Sequence, residues 1–186
     1  MRKKYLIIAF ALMILAQLSF PLKMIIEREI ILHKGETFLF KIEPIDPYDA
    51  FRGRYVWINY KNLNVDLPSY MQNEYYKIND LYITLKKDSV GVVIYDKVID
   101  TKPTNTDIYI KVKTDGILTD GGKVRIEMPD NRYYMNENKA PIADTLLKNA
   151  YAQIVVYKGQ MVLKGILVDG MSIEKYIDQL AKNKSY

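Results

Sequence analysis

Two hydrophobic periods divide the chain. From Tyr5 to Leu22 there is no charged residue, and the interior from Leu6 to Leu18 is almost wholly aliphatic. Apolar side chains on every helical face mark a membrane span rather than a core helix with one wet side. These 18 residues would rise about 27 Å as a helix, close to the thickness of a bilayer's hydrocarbon core. Beyond them the period shortens to two. Phe38, Phe40 and Ile42 alternate with Leu39 and Lys41. Ile108, Ile110 and Val112 alternate with Tyr109, Lys111 and Lys113, and Val124, Ile126 and Met128 with Lys123, Arg125 and Glu127. Such segments predict half-buried strands with one wet face.

The same pattern predicts further strands over 25–33, 54–60, 81–87, 90–99, 151–157 and 160–168. Turn residues fall between them at Lys34-Gly35, Lys87-Asp88-Ser89, Asp115-Gly116, Asp120-Gly121-Gly122 and Lys158-Gly159. Connections this short require antiparallel pairing, since parallel strands need long crossovers. Residues 61–80 are polar, contain Pro68 and read as a long loop or irregular edge. Two helices are expected late in the chain. One covers 140–149, with Pro141 in a first-turn position and Ile142 and Leu146 on one face. The other follows Ser172 as a cap and carries Ile173, Tyr176, Ile177 and Leu180 at i, i+3, i+4 and i+7. The expected fold class is mainly β, with α+β as the variant: an antiparallel sheet or sandwich behind one transmembrane helix. The division is an anchor over 1–22 and one β-rich domain over 23–186.

Flanking charge orients the anchor. Arg2, Lys3 and Lys4 precede the apolar run, and Lys23, Glu27, Arg28 and Glu29 follow it. The positive-inside rule then places the N-terminus in the cytoplasm and residues 23–186 outside it, as a single-pass protein of the cytoplasmic membrane. A cleaved signal peptide would need small residues at two positions just past the apolar run. Ala16 has Ile14 two places before it, Ser19 has Gln17, and Phe20-Pro21 follows, so the segment reads as an uncleaved anchor.

Composition changes the picture in two places. The net charge of +5 suggests nucleic acid at first sight. Setting Arg2, Lys3 and Lys4 aside from 27 basic residues leaves 24 against 22 acidic ones, interspersed and without a basic run. A nucleic-acid binder carries a clustered basic footprint, so that partner is not expected. Cysteine is absent, which excludes disulfides, cysteine nucleophiles and cysteine metal sites. The 16 tyrosines against 5 phenylalanines favour half-buried sheet faces.

The densest special-purpose stretch runs from Pro44 to Tyr60. Its first part is a loop fixed by Pro44 and Pro47, in which Asp46 and Asp49 can bond nearby backbone N–H groups. Gly53 allows a positive φ or a close backbone approach where the strand begins. Tyr55, Trp57 and Asn59 then face one side, and Val56, Ile58 and Tyr60 the other. Gly53-Arg54-Tyr55-Val56-Trp57-Ile58-Asn59-Tyr60 resembles the signature of the GDYXXLXY family. Gly53, Tyr55 and Tyr60 match it, Arg54 replaces its Asp, and Ile58 replaces its Leu. Asp46-Pro47 and Arg52-Gly53 resemble the approach to that motif. Arg132-Tyr133-Tyr134-Met135-Asn136-Glu137, with the strands ending at Gly159 and Asp169-Gly170, resembles its C-terminal half. The resemblance covers most of residues 25–170. It implies a membrane-anchored bacterial protein of uncharacterised function, and supplies no reaction, cofactor or catalytic residue.

Several chemistries have candidate residues in the chain. His33 is the single histidine and has no serine motif beside it, so it reads as a surface residue at a strand end rather than a base. Asp46, Asp49 and Glu137 could do carboxylate acid–base work, but turn stabilisation and ion pairs with Arg52, Arg54 or Arg132 account for them more simply. No calcium ligand ladder accompanies Asp120 or Asp130, and Asp120-Gly121-Gly122 is a turn, not a phosphate loop. Tyr48, Tyr55, Tyr60, Tyr75, Tyr76, Tyr133 and Tyr134 could line a groove for glycan or peptide, or fill a β core with their hydroxyls at the rim.

The leading expectation is a non-enzymatic accessory or interaction domain without a cofactor or metal. Its expected partners are the membrane, through residues 5–22, and other integral membrane or envelope proteins. A binding module for glycan or peptide comes second, and a carboxylate-based hydrolase third. The motif residues singled out are Asp46, Asp49, Arg52, Gly53, Tyr55, Tyr60 and Glu137.

Overall fold

A computed structural model describes residues 2–43, 55–73, 80–119, 121–128 and 131–183. The chain opens with helix α1, Arg2–Lys34. From Tyr5 to Leu22 its large apolar side chains are exposed. This helix is long and apolar enough to span a membrane. The strand expected over 25–33 does not form. Nucleation is the costly step of helix formation, and it has already been met by the span, so each added residue gains a hydrogen bond. Lys23 and Glu27 reinforce the extension as an i, i+4 pair. His33 therefore lies in the last helical turn, beside the Glu29 carboxylate.

The helix ends against the sheet. Ile31, only 4% exposed, packs with Val155 and Val162, flanked by Leu32 and Tyr157. The Gly35 N–H donates to the Ile31 carbonyl at 2.8 Å. A side chain at Gly35 would strike backbone, since a Cβ there would lie 2.5 Å from the Ile31 oxygen and 2.8 Å from the Val156 oxygen.

Beyond this junction the fold is mainly β with helices. The first sheet contains β1 (Glu36–Glu43), β3 (Asn59–Tyr60), β10 (Ala150–Tyr157), β11 (Gln160–Val168) and β12 (Met171–Ser172), in the order β12-β11-β10-β1-β3. The second contains β4 (Asn64–Asp66), β5 (Asp80–Lys87), β6 (Val93–Ile99), β7 (Tyr109–Thr119) and β8 (Lys123–Glu127), in the order β4-β8-β7-β5-β6. Every pairing of named strands is antiparallel. Phe38, Phe40 and Ile42 from the first sheet and Leu81, Ile83, Ile110, Val112, Val124 and Ile126 from the second meet in one core. Short parallel bridges stitch the sheets at Leu39 with Val92 and Ile110 with Gly159.

The turns follow their residues. At the β10–β11 hairpin Lys158 and Gly159 both take positive φ, 48° and 84°, as a two-residue turn matched to strand twist requires. The Asp88 carboxylate accepts from the N–H groups of Val90 and Val92 at 2.9 and 2.7 Å, closing the β5–β6 turn. Three expectations are corrected. Asp115-Gly116 is no turn: β7 runs through it, with its register against β8 shifting between Thr114 and Leu118, as an irregular strand allows. Residues 61–80 are not wholly irregular. Val65 and Leu67 continue a period-two pattern into the core, β4 forms around Val65, and helix α2 (Ser69–Gln72) buries Met71. Tyr109 does not face water: it is 2% exposed, because the Gly159 hairpin folds over its ring.

The late helices form where expected. Helix α3 (Ala140–Leu146) has Pro141 in its first turn and passes into a 3-10 turn at Leu147–Asn149. Helix α4 (Ile173–Asn183) buries Ile173 and Ile177. Two remaining strands, β2 (Tyr55–Trp57) and β9 (Arg132–Tyr134), form a separate two-stranded ribbon.

Candidate functional site

The ribbon carries the most distinctive surface among the described residues. Its register sets Tyr55 opposite Tyr134, Val56 opposite Tyr133 and Trp57 opposite Arg132. Strand periodicity then sorts these side chains between two faces. Val56 has no exposed surface, and Tyr133 packs beside it against the core. Tyr55, Trp57, Arg132 and Tyr134 share the outward face.

These four side chains touch one another. The Tyr55 ring meets Trp57 edge-on at 6.1 Å and Tyr134 at 5.7 Å. The Arg132 guanidinium lies over both Trp57, at 5.1 Å, and Tyr55, at 5.5 Å. Each such contact contributes about 0.5–1 kcal/mol at an exposed position. Tyr134 remains 67% exposed. The face is therefore an ordered aromatic platform with a cation laid across it.

The inner side fixes the ribbon in place. The Tyr133 hydroxyl donates a short hydrogen bond to the Glu174 carboxylate on α4. Burial first, and then the bond to Glu174 and its charge, push the Tyr133 phenol well above its ordinary value. Lys139, just before α3, pairs with Asp178 of α4 at 2.5 Å. Ala140, Ala143 and Leu147 pack into the core that Val56 enters.

The motif strand continues past the ribbon into the first sheet. Tyr60 turns inward, 5% exposed, with its ring edge-on to Phe40 at 6.1 Å. Asn59 donates to the Glu43 carboxylate at 2.8 Å, and Lys61 pairs with the same group at 3.1 Å. Beside them Ile58, Asn59, Tyr60, Arg125 and Asn131 line a shallow groove of about 310 Å³. Among the described residues no group of three or more His, Asp or Glu side chains could hold a metal.

Of the residues singled out from sequence, Asp46, Asp49, Arg52 and Gly53 lie outside the described residues. Tyr55 and Tyr60 stand on opposite faces, and Glu137 lies exposed in the turn before α3. Arg132, an ion-pair candidate from sequence, lies over the Tyr55 and Trp57 rings. Tyr134 was marked as a groove tyrosine, but its partnership with Tyr55 depends on a pairing between distant strands that no local pattern reveals.

A family model described as GDYXXLXY protein matches residues 17–166. The chain belongs to the GDYXXLXY family. No curated protein and no solved structure matches it. Within this GDYXXLXY protein the signature is a two-faced strand. Ile58, at the motif's Leu position, and Tyr60 are held in the core, while Tyr55 is displayed on the platform. Arg54, at the motif's Asp position, lies outside the described residues.

Proposed function

We propose that this GDYXXLXY protein is a membrane-anchored interaction domain that contacts a partner protein through the outward face of the β2–β9 ribbon. The observation that carries the reading is the assembly of Tyr55, Trp57, Arg132 and Tyr134 on one exposed face. Trp, Tyr and Arg are the residue types that dominate binding energy at protein interfaces. Their rings and fork keep a fixed shape, so little conformational freedom is lost on contact. A protein partner suits the face better than a glycan, because Arg132 already covers the Tyr55 and Trp57 rings on which a sugar would stack. Helix α1 holds the domain at the membrane, and Arg2, Lys3 and Lys4 keep its N-terminus in the cytoplasm.

The test is site-specific photocrosslinking in native membranes. A photoreactive phenylalanine analogue replaces Tyr134 in one variant and Tyr70, an exposed tyrosine on another element, in a second. The reading expects a discrete crosslinked protein from position 134 and none from position 70. No adduct from 134, or the same adducts from both positions, refutes it.

A further inference from the structure

We infer that the partner presents an acidic side chain to Arg132, which grips its carboxylate at the centre of the platform; the inference rests on reading the ribbon as a contact surface. Among the described residues Arg132 is held by rings, not by a counter-ion. Its guanidinium stacks on Tyr55 and Trp57, and among the described residues no carboxylate pairs with it. Neighbouring cations differ: Lys61 is engaged by Glu43 and Lys139 by Asp178. With its carbon 5.1 and 5.5 Å from the two ring centroids the guanidinium is positioned by the rings, and among the described residues no carboxylate takes any of its five N–H donors. A carboxylate can take two of them in parallel. The rings also shield one side of the cation from water, which strengthens attraction to an incoming anion. Tyr134, exposed and against Tyr55 on the same face, can cover the apolar stem of an acidic residue or an adjacent aromatic.

The place of the platform favours protein over lipid phosphate. The motif strand joins β1 at its far end, with Tyr60 opposite Ile42 and Asn59 opposite Glu43. Helix α1 joins the near end at Gly35. The length of β1 between them is about 24 Å at strand rise.

Trp57 is the only tryptophan in the chain, so its emission reports on the platform directly. The full-length protein in detergent is titrated with a capped glutamate–phenylalanine–glutamate peptide and with its glutamine isostere. The expected result is a saturable change in emission with the acidic peptide, and an affinity for the glutamine peptide roughly tenfold or more weaker. Arg132→Gln removes the difference between the peptides, whereas Arg132→Lys keeps the charge and part of the difference. Thermal melts confirm that both variants fold. Equal response to the two peptides, no response to either, or an unchanged preference in Arg132→Gln overturns the inference. A stronger response to inorganic phosphate or to phosphatidylglycerol vesicles also overturns it. A crosslink from position 134 without peptide discrimination sinks the carboxylate alone and leaves the surface reading standing. No crosslink from position 134 sinks the surface reading itself.

Discussion

Replacing Gly35 by alanine tests the junction between the helix and the sheet. The new methyl group would lie 2.5 Å from the Ile31 carbonyl oxygen, 2.6 Å from a Val155 methyl and 2.8 Å from the Val156 carbonyl oxygen. A side-chain methyl can rotate aside, but two of these three obstacles are backbone. One belongs to the last turns of α1 and the other to the central strand β10. Relief therefore requires the helix end to lift from the sheet, breaking the 2.8 Å bond from the Gly35 N–H and exposing the Ile31, Val155 and Val162 cluster. Overpacking in a close-fitted site costs about 1–3 kcal/mol. Uncovering each of these side chains adds a part of the roughly 1.5–3 kcal/mol that full burial provides. A loss of about 3 kcal/mol lowers the melting temperature by roughly 6–12 °C in a domain of this size. The assay is a thermal melt of the full-length protein in detergent, followed by near-ultraviolet circular dichroism. Gly165→Ala is the control, because the nearest atom its Cβ would meet is a Gln153 side-chain oxygen at an ordinary 3.6 Å. A Gly35→Ala melting temperature within about 1 °C of the parent would refute the claim that the helix end is locked against β10.

The remaining predictions concern the motif strand, alkaline pH and topology. Tyr60→Ala, which empties a core site, should cost about 3–5 kcal/mol, while Tyr134→Ala on the exposed platform should stay within about 0.5 kcal/mol; chemical denaturation of both variants checks the contrast. Burial pushes the Tyr95 phenol up to about 12. Its folded value exceeds its unfolded one, so the stability it contributes is whole below the ordinary phenol range and is lost as pH rises from there through about 12. Melts across this window should show that decline, and a Tyr95→Phe variant with an unchanged slope would contradict the assignment. A reporter that works only in the cytoplasm, fused after Tyr186, should stay silent, and activity there would reverse the proposed orientation.

Much of the fold was legible from short-range pattern. The alternation of Phe38, Phe40 and Ile42, or of Val124 and Ile126, is enforced by the pleat, so sequence alone assigns the buried face. Lys158-Gly159 and the α4 stripe were readable for the same reason: their chemistry is satisfied within a few residues. What stayed hidden depended on distance. Residues 25–33 are rich in isoleucine, which favours strands, but they continue a helix already nucleated by the apolar segment. Tyr109 sits among wet-face lysines and is buried only because the Gly159 hairpin lands on its ring. The platform needs Trp57 opposite Arg132, and nothing near either residue announces the other. The odd spacing of Tyr55 and Tyr60, by contrast, is legible in sequence and sends one to the platform and the other to the core.

Helix α1 runs without an intervening loop from Pro21 in its apolar segment to Lys34, so it joins that segment to the sheet as a shaft rather than a tether. A chain held by a flexible linker samples all headings, and its binding face finds partners by tumbling. A helix advances about 100° per residue, so the compass bearing of the platform is geared to the number of residues between Leu22 and Ile31. Two residues inserted there would swing the ribbon by about 200°, away from any neighbour it faces, and seven would bring it back to within about 20° while raising it by about 10 Å. Under the proposed anchoring, bearing and height above the bilayer thus become separable quantities, written in the length of one helix.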